Sequence, residues 1–225
     1  MPLTPLPENG EYTLTEKVFE ALKKGILSLE IKPREYLVIG DVAKEYHISR
    51  TPVREAMIML EKEGWVENDG RRGAKVTVPS AKTILELIEI QGVLEGYLAR
   101  RAAELFSEAD IQSAEAILNE AEEAIRVGDH QHGRLLGEKF HAFLAEKVAN
   151  QRLQATIEQL EEHVRRVRPL IWHRGEAPIE QSAEHHRKIL NAIKERNAVQ
   201  AEKLMFHHTV WFEEELAVTL RYMLG

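Results

Sequence analysis

From Ser80 to Tyr222 the chain carries helical apolar periodicity, interrupted only by short punctuating stretches. The interruptions fall at Ser107, Gly128-Asp129, Asn150, Gly175 to Pro178 and Asn197, residue types that cap or stop helices. They delimit predicted helices over 82–106, 108–127, 130–149, 151–173, 179–196 and 198–222. Ser107 with Asp110 forms a capping pair for the second of these. Helices joined by connections this short pack as an antiparallel bundle.

The stretch before Pro79 has a different grammar. Residues 1–12, rich in Pro, Asn and Gly, read as a flexible tail. "TLTEKVFEALKKGILSLEI" places Leu14, Val18, Leu22, Ile26 and Leu29 on one helical stripe, with Thr15 as the expected cap and Pro33 as a stop. "GDVAKEYH" is a short second helix with Val42, Ala43 and Tyr46 inward. In "HISRTPVREAMIMLEKEGWVEN", Ser49 or Thr51 caps a third helix and Pro52 falls in its first turn, where a missing N–H costs little. Val53, Ala56, Met57 and Leu60 share its core face, while Arg50 and Arg54 point elsewhere. "NDGRRGAKVTVPS" supplies turn residues and then alternating Val76 and Val78, a short β-hairpin. The predicted fold is mainly α: an N-terminal winged helix-turn-helix over 13–79 and a C-terminal antiparallel six-helix bundle over 80–225.

Helix, turn, capped helix and wing in that order put the N-terminal residues of the last helix into a DNA major groove. The planar fork of Arg50 or Arg54 matches guanine O6/N7 or phosphate oxygens. Arg71, Arg72 and Lys75 in the wing lie near the backbone or minor groove. The plain alternative is a solvated surface on which Arg50 and Arg54 pair with Glu55 or Glu61. The net charge of −7 is no obstacle, because it is concentrated elsewhere. Residues 1–79 hold 12 Lys/Arg against 13 Asp/Glu, and residues 80–225 hold 18 against 24. The absence of cysteine excludes disulfides and thiolate chemistry. No apolar run approaches the roughly 18 residues of a membrane span. The N-terminus has no basic and apolar signal pattern. A cytoplasmic location is expected.

Histidine is skewed too, with His47 before residue 80 and nine after it. "EKFHAFL", "EHHRKILNAI" and "LMFHHTVWF" set His141, His185-His186 and His207-His208 beside apolar residues. Taken singly, each reads as a core or surface histidine. Taken together, three imidazoles entering a bundle core suit a divalent ion such as zinc, nickel or manganese, with positions left for a ligand. Periodicity leaves His185 against His186, and His207 against His208, open.

"VAKEYHISRTPVREAMIMLEKEGWVE" resembles the DNA-binding signature of the GntR family of bacterial transcription regulators, and Arg72-Gly73 and Val76 resemble its wing. The resemblance implies that Ser49, Arg50, Thr51 and Arg54 read DNA and that Gly73 approaches it closely. It also marks a departure at Gly40, where many relatives carry a polar or basic contact. The helical half is similar to the FCD effector domain of the FadR-type subfamily, so the resemblance covers nearly the whole chain. It implies a metal set of His141, His186 and His208. The acid that metal-binding members carry four residues before the first histidine is Gly137 here, with Glu138 and Glu184 as nearby substitutes. Gln91 stands where relatives often place an arginine that meets a carboxylate ligand. The effector site is therefore expected around Gln91, Arg165 and Arg168, with Arg100 as a further cation, and the expected effector is a small molecule such as a carboxylate.

These readings converge on a metabolite-responsive transcriptional regulator and not an enzyme. It is expected to be a repressor that binds an inverted-repeat DNA operator as a homodimer. Two alternatives weigh against it: a metal-dependent hydrolase built on the histidines, and a DNA-binding protein without an effector.

Overall fold

The computed structural model describes residues 3–8, 12–78, 80–165 and 177–224. The chain divides into two compact units, 1–79 and 80–225.

In the first unit, α1 (Leu14–Leu27), α2 (Ile39–Glu45) and α3 (Arg50–Lys62) enclose a core with a three-stranded antiparallel sheet. The sheet order is β1 (Tyr36–Leu37), β3 (Ala74–Val76), β2 (Val66–Asn68), with Val66 opposite Val76 and Leu37 opposite Ala74. Val18, Leu22, Val53, Ala56, Leu60 and Trp65 are fully buried at its centre. Truncating one of the large ones, as in Leu22→Ala, costs about 2–5 kcal/mol.

Three local expectations are corrected. Thr13, not Thr15, caps α1: its side chain accepts from the Glu16 N–H while the Glu16 carboxylate accepts from the Thr13 N–H, and Thr15 Oγ1 donates to Glu55 at 2.7 Å. The hairpin is one part of a larger sheet; β1 pairs β3 from the other side, and Val78 lies beyond the end of β3. The tail is anchored over residues 3–8. Thr4 is buried, its carbonyl accepts from Tyr46 Oη at 2.8 Å, its hydroxyl donates to Glu30 at 2.7 Å, and Leu3 and Leu6 pack on the core. Two leucines and a satisfied Thr4 outweigh the loop-like composition.

The second unit is the bundle, built from α4 (Ala81–Leu105), α5 (Glu108–Arg126), α6 (His130–Val148), α7 (Gln151–Arg165), α8 (Ala177–Lys194) and α9 (Ala198–Leu224). The fourth predicted helix runs to residue 173; its part past Arg165 lies outside the described residues. Ser107 and Asp110 do form a capping box on α5. The core is rich in alanine, including Ala99, Ala102, Ala103, Ala114 and Ala121, and is filled by Phe140, Leu118, Leu144 and Ile189. Small residues let helices approach closely. A Cβ at Gly96 would lie 3.1 Å from the Glu202 carbonyl oxygen, and one at Gly92 3.3 Å from Phe206, so α4 and α9 meet along that face.

Candidate nucleic-acid interface and candidate metal centre

The N-terminus of α3 is exposed at Ser49, Arg50, Thr51 and Arg54. Ser49 has the extended N-cap backbone, yet neither it nor Thr51 caps the helix with its side chain. The cause is Pro52. An N-cap oxygen usually accepts from the second or third helical N–H, and proline at the third position has none to offer. The Ser49 hydroxyl is thereby left without a helical partner, and Thr51 already lies inside the first turn. Among the described residues Arg50 and Arg54 make no ion pair, and the two acids that would have neutralised them do not. Glu55 accepts from Thr15 instead, and Glu61 stays exposed. Gly40 lies beside Arg50, where a Cβ would come within 3.8 Å of its guanidinium.

The wing turn is a short 3₁₀ segment, Gly70–Arg72. Tyr36 Oη donates to Asp69 Oδ2 at 2.5 Å. Arg72 is exposed and held beside Tyr36 and Asp69, which raise its already high pKa. Gly73 has φ +104°, and a Cβ there would sit 2.6 Å from the Leu37 carbonyl oxygen. The sheet itself thus demands glycine at this position. Arg71 belongs to the same turn.

In the bundle, α6, α8 and α9 bring His141, His186 and His208 together. His141 Nε2 is 2.9 Å from His186 Nε2, which is 3.1 Å from His208 Nε2. His207 is exposed and His185 half-buried, the latter edge-on to Trp211. Burial holds the pKa values of His186 and His208 well below the usual imidazole range, and the charge on His141 adds to it. Both rings are therefore neutral at pH 7, the form that binds metals.

The acid of this site comes from α4. Glu95 is 5% exposed, and its Oε2 lies 3.1 Å from His141 Nδ1. Gln91 Nε2 and Thr209 Oγ1 donate to the same carboxylate at 2.7 and 3.0 Å. Burial alone would raise the Glu95 pKa; the His141 charge and the hydrogen bonds from His141 and Gln91 outweigh it and hold it at about 2. When His141 gives up its second proton, Glu95 keeps the remaining one on Nδ1, so that the Nε2 lone pair faces the other two rings. The expected substitutes do not serve. Glu138 pairs with Arg134 at 2.5 Å, and Glu184 is exposed. Gly137 has a packing role, since a Cβ there would lie 3.1 Å from His186 Cε1.

These residues fit a metal. With nitrogen–metal distances of about 2.0–2.1 Å, angles between a right angle and the tetrahedral value place nitrogens about 2.9–3.4 Å apart. The two spacings through His186, 2.9 and 3.1 Å, lie in that range, while the three ligand atoms together span up to 4.8 Å, so His141 and His208 would close in on a bound ion. Without an ion, His186 Nε2 faces two other ring nitrogens and can donate to only one of them. His208 Nδ1, moreover, is buried with no hydrogen-bond partner among the described residues.

A cavity of about 650 Å³ opens beside the histidines. Gln91, Glu95, Thr209 and the three imidazoles line it, as do Ile88, Leu118, Ile157 and Met205. Arg165 also lines it and lies 3.6 Å from Glu161. Arg100 does not; it is engaged by Glu202 at 3.1 Å and Glu104 at 3.3 Å. Arg168 lies outside the described residues. Glu95 and Thr209 escaped the sequence reading. Their signal was present in Ile84, Ile88, Gln91, Glu95, Leu98 and Ala102, a buried stripe at helical spacing in which two polar residues sit one turn apart.

Residues 14–76 match the family described as bacterial regulatory proteins, gntR family, and residues 86–210 match the FCD domain. The uncharacterized HTH-type transcriptional regulator YdhC of Bacillus subtilis (strain 168) is 32% identical over 162 residues, 70% of this chain and 72% of that protein. The HTH-type transcriptional repressor RspR of Escherichia coli (strain K12) is 29% identical over 160 residues, 71% of this chain and 70% of that one. Among solved structures, E. coli McbR/YncC aligns with a TM-score of 0.68 at 20% identity, covering 95% of this chain and all of that one. A transcriptional regulator from Rhodococcus sp. RHA1 aligns at 0.66 and 24%, covering 90% and 96%. At these identities the two structures speak for the fold.

Proposed function

The chain belongs to the GntR family of bacterial regulatory proteins and carries the FCD domain, and from that premise we propose that it is a metal-containing repressor acting as a homodimer on an inverted-repeat operator. That it is a DNA-binding, metabolite-responsive transcriptional regulator follows from the family itself. The reading of the DNA face rests on one observation above all: Arg50 and Arg54 stand exposed at the start of α3 and make no ion pair among the described residues. Ser49, Thr51, Arg71, Arg72 and Gly73 complete the proposed contact surface, with phosphates and base edges shared among them.

A homodimer is supported by α4, where Ile90, Val93 and Tyr97 are 51%, 58% and 43% exposed along one helical face. A second copy covering that stripe would pair the protein two-fold, and the operator mirrors that symmetry. His141, His186 and His208 would hold a zinc, nickel or manganese ion and Glu95 would orient His141. The ion would offer an electrophilic site to a small acid in the cavity, whose other walls include Gln91 and Arg165. A ligand that binds two bundle arrangements unequally changes operator affinity, typically by about 1–3 kcal/mol of coupling. No helix of the described residues is long and apolar enough to cross a membrane, which is compatible with the proposed cytoplasmic location.

Selection of the full chain against random duplexes tests this reading. Enrichment of an inverted repeat, with binding lost in Arg54→Ala, is the expected result. Enrichment of no motif, or Arg54→Ala binding as tightly as wild type, would count against it.

A further inference from the structure

Gln91 is 5% exposed and lines the cavity. Its Nε2 donates to Glu95 Oε1 at 2.7 Å, and the other Glu95 oxygen is taken by Thr209 at 3.0 Å and His141 at 3.1 Å. The carboxylate oxygens act here as acceptors, so the amide group of Gln91 is turned with its NH₂ toward them. The Gln91 carbonyl oxygen is left over. It accepts no hydrogen bond among the described residues and is not sealed off, so it opens on the cavity, where a ligand that covered it without a donor would leave it unsatisfied. The α7 wall of the cavity adds the carboxylates of Glu158, Glu161 and Glu162. Of the cations lining the cavity, Arg134 is engaged by Glu138 and Arg165 by Glu161, while Lys139 is exposed. The inner end of the cavity therefore pairs the three imidazoles with an acceptor, not with a second cation.

We infer that the ligand of this cavity presents a hydrogen-bond donor, a hydroxyl or an ammonium, to the Gln91 carbonyl oxygen, and is a small hydroxy or amino acid and not a simple carboxylate. The acid end faces the histidines, and that part rests on the effector-site reading above. A donor at Gln91 satisfies the one polar atom of the α4 pair that the protein itself leaves open. A bare methylene there would leave the carbonyl oxygen desolvated.

The test is calorimetric titration and thermal shift of the full chain, as purified and again after zinc addition. The probes form two matched sets: propionate, L-lactate and L-alanine; succinate, L-malate and L-aspartate. In at least one set the hydroxy or the amino member should bind about tenfold more tightly than the unsubstituted acid, the effect of one hydrogen bond to an acceptor that the ligand itself covers. Which of the two wins identifies the donor. Gln91→Arg, which replaces the acceptor with donors that still reach Glu95, should abolish that preference. Unsubstituted acids binding as well as their partners, or no binding by any of the six, would overturn the inference. Binding of the selected DNA is measured on the same samples. Its failure would count against the regulator reading, whereas lost discrimination with DNA binding intact would count against the ligand class alone.

Discussion

Replacing Glu95 with glutamine keeps the length and shape of a buried side chain and removes its charge. In the folded protein this carboxylate accepts from Gln91, Thr209 and His141. The glutamine retains one acceptor oxygen and directs an NH₂ at a neighbour that is also a donor, a cost of about 1–3 kcal/mol. The pKa of Glu95, held at about 2 against an ordinary 4.5, favours the ionised fold by on the order of 3 kcal/mol, consistent with the upper end of that range. The sign is fixed by the depression. Its contribution is fully present above the unfolded value of 4.5 and is lost as pH falls from there toward 2. Glu95→Gln should therefore lower stability at pH 7, and the gap to wild type should narrow as pH falls through that window. The second consequence concerns His141. Without the carboxylate its Nδ1 proton is no longer held in place, and loss of such a partner weakens metal binding about 10–100-fold. Urea unfolding at several pH values and zinc titration of the metal-free chain read the two effects separately. Equal zinc affinity in the variant, with only stability lost, would show that Glu95 holds the bundle together and does not orient the imidazole.

Other changes probe the remaining parts. Arg54→Ala should weaken binding to the selected duplex. If the lost contact is to a phosphate, the log–log salt slope becomes shallower by about 0.9; an unchanged affinity in anisotropy titrations contradicts its role. Gly96→Val should destabilise the bundle by about 1–3 kcal/mol or more, because even a Cβ there would lie 3.1 Å from the Glu202 carbonyl oxygen; thermal unfolding reads it. Below pH 6.5 the unfolded chain protonates His186 and His208 while the folded chain keeps them neutral. Stability of the metal-free protein should thus fall on acidification by up to about 1.4 kcal/mol per pH unit for each ring, with the slope reduced in His186→Gln.

Much of this was legible in the residues. The order of α2, Pro52 in the first turn of α3, the buried face of Val53, Ala56, Met57 and Leu60, and the breaks between bundle helices are local features with local causes. The hairpin strand β3 was visible for the same reason, but its partner β1 is only two residues long, Tyr36 and Leu37. A strand that short has no period to detect, and only the ladder to Ala74 and Lys75 defines it. Ser49 had the composition of a cap; its failure to act as one depends on where Pro52 falls in the turn. With Gly137 where an acid is expected, the sequence offers Glu138 beside His141 and Glu184 beside His185 as the carboxylate of the histidine site. It comes from Glu95, 46 positions earlier, because α4 packs against α6 and α9. Spacing within one helix is readable from a chain, whereas the side chain that another helix brings to the same point is a property of packing. The choice of His186 and His208 over their neighbours has the same origin, since all four lie on apolar-flanked helices and only the assembled bundle separates the buried pair from His185 and His207.

Elemental analysis of the full chain, purified without chelator or affinity tag and compared with His186→Ala, tests the histidine centre most directly. About one equivalent of zinc, nickel or manganese per chain in the wild type and none in the variant is the predicted result. No metal in either protein, after zinc has been offered and dialysed away, would contradict it and leave His141, His186 and His208 as hydrogen-bonding groups of the cavity.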